Sequence, residues 1–161
     1  MRTLTQAQIK ELFYYDDGNL YWKIAKQGVA VGRKVGNGIK NQYLQVMVNR
    51  KGYLVHRLIA TLHYGDFEGL VDHIDGNTRN NKIENLRIVT MEQNLWNAKR
   101  SKTNTTGIKG VSYIVSRQKY QATICIKGKN KNIGSFSSLT DAEQAIKKAR
   151  QALHGEFARH E

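Results

Sequence analysis

Apolar positions along the chain change period several times, and each change marks an element. In the run VHRLIATLHYG, Leu58, Ile59 and Leu62 recur at the 3.6-residue period, and Gly65 supplies a C-cap signal, so the spacing predicts a helix over 55–65. Ile9, Leu12 and Phe13 form a shorter helical face, entered through Thr5 and Gln8 at capping-box spacing. After the turn Asp16-Asp17-Gly18-Asn19 the pattern shortens, and residues 20–23 read as a strand. Residues 43–48 and 53–55, separated by Asn49-Arg50-Lys51-Gly52, read as a hairpin. A further short strand carries Asp72 and His73 among Leu70, Val71 and Ile74, and Asp75-Gly76-Asn77 ends it as a turn. Asn85 opens another through Leu86, Arg87, Ile88 and Val89. Thr90 and Gln93 then form the capping box of a helix that places Asn94 in its first turn.

From 98 to 106 the periodicity lapses into AKRSKTNTT, a basic, polar linker. Residues 110–114, 120–127 and 132–136 read as three strands, with turns at Ser116-Arg117 and Gly128-Lys129-Asn130. A helix follows from Thr140, with Glu143 completing its capping box. Tyr120, Ala122, Ile124 and Ile126 alternate onto one face, opposite Ala142, Ala145, Ile146 and Ala149 of that helix. Gln121, Thr123, Cys125 and Lys127 are left on the other. The expectation is an α+β chain divided into an N-terminal α/β, β-rich extension (1–54), a core (55–97), the linker (98–106) and a three-stranded antiparallel sheet plus helix (107–161).

Charge narrows the class of partner. Lys and Arg number 26 against 13 acidic residues in 161, a net +13, the footprint of a polyanion binder. No acidic residue occurs between Glu92 and Asp141, whereas Lys99, Arg100, Lys102, Lys109, Arg117, Lys119, Lys127, Lys129 and Lys131 do. With Arg33 and Lys34 of the glycine-spaced loop 28–38, Arg57, Arg87, and Thr123 and Asn132 of the predicted sheet, these are the candidate nucleic-acid contacts. A nine-residue linker spans at most roughly 30 Å, about one helical turn of DNA. No apolar run approaches the roughly 18 to 20 residues of a membrane span, the N-terminus lacks a signal-peptide core, and the single Cys125 cannot form an internal disulfide. A cytoplasmic protein with neither membrane nor small-molecule partner is expected, and no glycine-rich phosphate loop, CxxC pair or Ser/His/Asp constellation occurs.

Metal-capable and proton-transferring residues concentrate in VDHIDGNTRNNKIENLRIVTMEQNLWN, residues 71–97. Singly, each has a structural reading: Asp72 as a turn stabiliser, Asn85 as a loop cap, Asn94 as a solvated helix residue, His56 and His63 as packing groups. Together the spacing DH-x(11)-N-x(8)-N, with the strings DHIDGN, NN and ENLR, resembles the HNH endonuclease family in the variant whose last His is Asn. The resemblance implies a ββα-metal core in which Asp72 and Asn94 hold one divalent cation, Mg²⁺ or Mn²⁺. His73 would deprotonate the attacking water, and the Asn85 side-chain carbonyl would fix the His73 tautomer and ring. YDDGNLYWK is similar to the N-terminal portion of phage-type HNH proteins. GIKGVSY, KYQATI, IGSF and HGEFA resemble the APETALA2-type DNA-binding domain, with Thr123, Cys125 and Asn132 standing where many relatives present Arg or Trp. The implied protein is a metal-dependent endonuclease of a bacterial cell or phage-infected host. It would act as a monomer on double-stranded DNA and nick one strand of a long asymmetric site, leaving 5′-phosphate and 3′-hydroxyl ends. The rival is a non-enzymatic DNA-binding regulator that keeps the HNH fold as scaffold.

Overall fold

The computed structural model describes residues 4–25, 28–36 and 38–158, and the chain divides into two compact units, the first running to Val89 and the second from Thr90. The first begins with α1 (Gln6–Leu12), whose Thr5 and Gln8 exchange both bonds of the expected capping box. Phe13, expected on this helix, instead starts a strand. The aromatic run Phe13-Tyr14-Tyr15 suits a pleated surface better than a helix, and β1 (Phe13–Asp16) pairs antiparallel with β2 (Asn19–Trp22) around Asp17-Gly18. Both turn residues have positive φ, +36° and +83°, as a two-residue hairpin turn demands. Residues 32–35 run beside β2, bonded at Trp22 and Leu20, which buries Val35 and fixes the backbone of Arg33 and Lys34.

A three-stranded antiparallel sheet follows from β3 (Gly38–Lys40), β4 (Tyr43–Val48) and β5 (Lys51–Leu54). Its second hairpin is tighter than the four-residue loop expected: Lys51 and Gly52 are already strand, and Asn49 and Arg50 alone turn the chain with φ of +49° and +62°. α2 (Val55–Tyr64) starts at the next residue and ends at Gly65, φ +82°, as its spacing predicted. β6 (Leu70–His73) and β7 (Leu86–Val89) close the unit as an antiparallel pair. One apolar core joins the helices and most strands of this unit, from Ile9, Phe13 and Leu20 through Val46, Val48, Leu58 and Ile59 to Val71 and Leu86. The expected boundary between 54 and 55 is therefore absent. Truncating Leu86 or Ile59 to Ala would cost about 2 to 5 kcal/mol, shared by the supposed extension and the supposed core alike.

The second unit opens with α3 (Met91–Asn97), held by the predicted Thr90/Gln93 capping box. Residues 98–106 do not join separate bodies. Asn104 Nδ2 donates to the carbonyls of Ile108 and Val111, and Thr106 Oγ1 to that of Val111, so the segment is tied down within its own unit. β8 (Val111–Ile114), β9 (Lys119–Ile126) and β10 (Lys129–Phe136) form an antiparallel sheet in the order β10-β9-β8. The β9–β10 turn is Lys127-Gly128, φ +50° and +70°, not Gly128-Lys129-Asn130. α4 (Leu139–His154) is capped by Ser138, whose side chain accepts from the Thr140 backbone, so the cap lies two residues before the one expected. Val111, Ala122 and Ile124 pack with Ala142 and Ile146 into a separate core. Among the described residues no helix is long and apolar enough to cross a membrane.

Candidate active site

β6 delivers two consecutive buried polar side chains. Asp72 and His73 are 8% and 3% exposed, and their register partners on β7 are Arg87 and Leu86. Beyond His73 the backbone turns sharply. Gly76 N–H donates to the His73 carbonyl at 2.8 Å with φ of +68°, and Ile74 N–H donates to the Asn85 carbonyl at 2.9 Å. The Asp75 carboxylate gathers the loop by accepting from Asn77 N–H (2.7 Å), Asn80 Nδ2 (2.8 Å) and Asn85 Nδ2 (3.0 Å). Burial works against the Asp75 charge, but the Asn80 amide, the Asn77 N–H and the Asn85 amide outweigh it and hold the carboxyl below its ordinary range.

Asn85 has another task than the one expected of it. Its Oδ1 accepts from Asp75 N–H at 3.1 Å, and its Nδ2 reaches the Asn80 carbonyl at 2.8 Å as well as Asp75. It sits at the end of a 3-10 turn, Ile83–Asn85, just before β7 rather than opening the strand. Asn85 thus knots the loop that leaves β6. The residue at the His73 ring is Asn81, 2% exposed, with its Oδ1 at 2.9 Å from Nε2. Tyr43 and His56 complete the surroundings, with ring centroids 5.9 and 5.1 Å from His73 and 4.8 Å from each other. His56 is buried on α2, as its place on a core helix suggested, and lies beside the site. His63, exposed, lies edge-on to Tyr15.

Burial, then the neighbouring His73 and Arg57, push His56 down from 6.5 to about 3. The folded state therefore binds this proton less well than the unfolded chain. Its contribution to stability is complete above pH 6.5 and is lost as pH falls from there toward 3, at up to about 1.4 kcal/mol per pH unit. Unfolding in urea, followed by Trp22 fluorescence in a Trp96→Phe background, should show the first unit losing about 2 kcal/mol between pH 7 and pH 5. His56→Gln should remove most of that slope; an unchanged slope would assign it to other groups.

Asp72 does not stand alone. Arg87 Nε and Nη2 both meet its Oδ2 at 3.0 Å, with side chains 15% and 9% exposed, so Arg87, for which the sequence offered a phosphate contact or a solvated side chain, is a half-buried partner of the carboxylate. Arg57 is similarly engaged, donating to the Gly69 carbonyl at 2.9 Å and lying over the Phe67 ring. Lys109 Nζ donates to the carbonyls of Trp96 (2.7 Å) and Ala98 (2.5 Å). Each of these three cations has a partner within the protein. Arg33 reaches the Gly28 carbonyl and Arg100 that of Asn104, but both remain exposed, as do Lys34, Lys99, Lys102, Arg117, Lys119, Lys127, Lys129, Lys131 and Asn132. Thr123 is half-buried on β9. Asn94 is half-buried in the first turn of α3, in the second unit.

Asn81, Tyr43 and the Asp72–Arg87 pair carry no periodic signal. The one local trace was the tandem Asn80-Asn81, polar where a loop is expected, and only the fold shows that the second of the two is buried.

Residues 53–95, spanning α2, β6, β7 and most of α3, match the HNH endonuclease family. The chain is 40% identical over 89 residues to Protein 3.8 of Escherichia phage T7, covering 55% of this chain and 73% of that protein. It is 34% identical over 110 residues to the Uncharacterized HNH endonuclease L560 of Acanthamoeba polyphaga mimivirus, covering 65% of this chain and 54% of the relative. An SPbeta prophage-derived protein of Bacillus subtilis (strain 168), YosQ, whose name carries the HNH homing endonuclease designation, is 35% identical over 89 residues, 48% of this chain and 51% of its own. The chain thus spans about half the length of the latter two. No solved structure matches. With the DH-x(11)-N-x(8)-N residues inside the matched segment, the chain belongs to the HNH endonuclease family.

Proposed function

We propose that this protein is a metal-dependent DNA endonuclease that nicks one strand, leaving a 5′-phosphate and a 3′-hydroxyl. The observation that carries the reading is the pair Asp72 and His73, a buried carboxylate and a buried imidazole on consecutive residues inside the family segment. Water adds to phosphorus, His73 takes its proton, and the P–O3′ bond breaks with protonation of the departing oxygen. Asn85 acts by holding the loop after His73 in place, through Asp75.

Asp72 is the one buried carboxylate among the described residues, and no group of three His, Cys, Asp or Glu side chains suited to a metal occurs among them. A tetrahedral nitrogen and sulfur site does not fit this donor set. A hard cation that keeps water and phosphate oxygen in its shell does, with Mg²⁺ or Mn²⁺ the natural choice. Asp72 would hold it, and Asn94, assigned by the resemblance, would be the second ligand. Bound, it would stabilise charge developing on the phosphoryl and leaving oxygens.

The Arg87 contact with Asp72 favours the rival reading, a DNA-binding scaffold without chemistry, because a salt-bridged carboxylate is satisfied without a metal. Supercoiled plasmid incubated with Mg²⁺ or with chelator separates the two. The enzyme converts it to open circle only with metal; the scaffold leaves it intact. One chain carries one Asp72/His73 set, and a single hydrolytic centre aligns water, phosphorus and leaving oxygen for one strand polarity at a time. Open circle should therefore accumulate before linear DNA, with one protein per site. Linear product appearing together with open circle at limiting enzyme would point to a dimer.

Affinity is proposed to come from the exposed cations, each neutralising a backbone phosphate. Deleting residues from 107 onward would sever the bonds that Asn104 and Lys109 make, so point substitutions are the sounder test. Lys129→Ala with Lys131→Ala should flatten the salt dependence of binding by roughly 0.9 in slope for each phosphate that the variant no longer neutralises. A slope equal to wild type would remove this β-hairpin from the DNA interface.

A further inference from the structure

We infer that Asn81 is the positioning residue of His73: its side-chain oxygen accepts the Nε2 proton, so the neutral ring carries its lone pair on Nδ1, and Nδ1 is the atom that takes the proton from water. The assignment of the accepting atom rests on the endonuclease reading; the tautomer does not.

With the Asn81 oxygen turned to the ring, the contact favours one tautomer. Nε2 and the Asn81 Oδ1 are 2.9 Å apart, and both residues are buried, at 3% and 2% exposure. If Nε2 is protonated this is a hydrogen bond; if Nδ1 is protonated, two lone pairs face each other in a place water does not reach. A buried bond made in one state and lost in the other biases the tautomer ratio by about tenfold or more. The ring is held for that choice. Tyr43 and His56 stand against it, and His56, pushed down to about 3 mainly by burial, is neutral at working pH. Asn81 is itself held. It follows Asn80, whose carbonyl and amide are both bonded, to Asn85 and Asp75, so the loop that Asn85 knots sets the place of Asn81. Asn85 then serves the ring at one remove.

The test uses the full chain labelled with ¹⁵N-histidine, without metal, at a pH above which the His73 signals no longer change. Long-range proton–nitrogen correlation distinguishes the tautomers directly. Wild type should show His73 protonated on Nε2, and Asn81→Ala should move both ring nitrogens toward averaged shifts. Asn81→Asp, which keeps the accepting oxygen, should restore the wild-type pattern. In plasmid nicking, Asn81→Ala should lower kcat about tenfold with KM unchanged, and Asn81→Asp should recover much of it. A wild-type ring protonated on Nδ1, or an unaltered tautomer in Asn81→Ala, overturns the inference. If Asn81→Ala fails to fold, the wild-type tautomer and the Asn81→Asp spectrum decide. An Nε2-protonated ring in a protein that never nicks DNA would sink the endonuclease reading and leave the positioning role standing.

Discussion

Asp72→Ala should reduce metal-dependent nicking at least a thousandfold while leaving affinity for DNA at low salt close to wild type. Charge stabilisation by a bound cation is worth several kcal/mol, and about 4 kcal/mol corresponds to a thousandfold in rate. Binding is spared because phosphate neutralisation is spread over many exposed cations. The Arg87 pair complicates this substitution. Removing the carboxylate deprives Arg87, whose side chain is only 15% exposed, of the group it faces on β6, and breaking such a pair costs up to about 3 to 5 kcal/mol. A loss of activity could then be a loss of fold. Two companion substitutions separate these effects. Asp72→Asn keeps an oxygen for Arg87 while removing the charge, so it should stay folded and still lose metal-dependent cleavage. Arg87→Gln should lower stability yet retain metal-stimulated nicking, because the carboxylate remains. If Arg87→Gln is inactive while folded and Asp72→Asn is active, the pair is a structural brace and the metal assignment is wrong.

Most of the elements could be read from period and capping. The helix over 55–65 and the Thr90/Gln93 cap appear where Leu58, Ile59, Leu62 and the cap residues put them. Turns were less legible, because whether Asn49-Arg50 or Lys127-Gly128 turns the chain alone depends on positive φ at non-glycine residues, which the neighbouring strands impose. The division into units was not legible. Apolar residues of 1–54 and of 55–89 carry no mark of which core they join, and they join the same one. At the site, residue types pointed to Asp72 and His73, but their partners were set by register and burial. Arg87 faces Asp72 because β6 and β7 pair at those positions, and Asn81 reaches His73 because Asn85 is bonded to Asp75 and Asn80. A polar side chain aimed inward from a loop looks in sequence like one aimed at water.

His73→Ala should slow hydrolysis by about 10²- to 10⁴-fold, the range of a positioned general base, with DNA affinity unchanged. The nearest imidazole cannot take over. His56 lies 5.1 Å away between ring centroids, but a group pushed down to about 3 is a poor proton acceptor at neutral pH, so its presence should not soften the loss. The substitution also opens a cavity among Tyr43, His56 and Asn81 and leaves the buried Asn81 amide short of a partner, at a cost of about 1 to 3 kcal/mol. His73→Gln controls for this, since its amide can donate to the Asn81 oxygen and fill much of the space yet cannot act as a base. If proton transfer is the role, Gln should recover stability and recover almost none of the rate. If the ring only props the loop after β6, Gln should recover both together, and the base would have to be sought elsewhere in the chain.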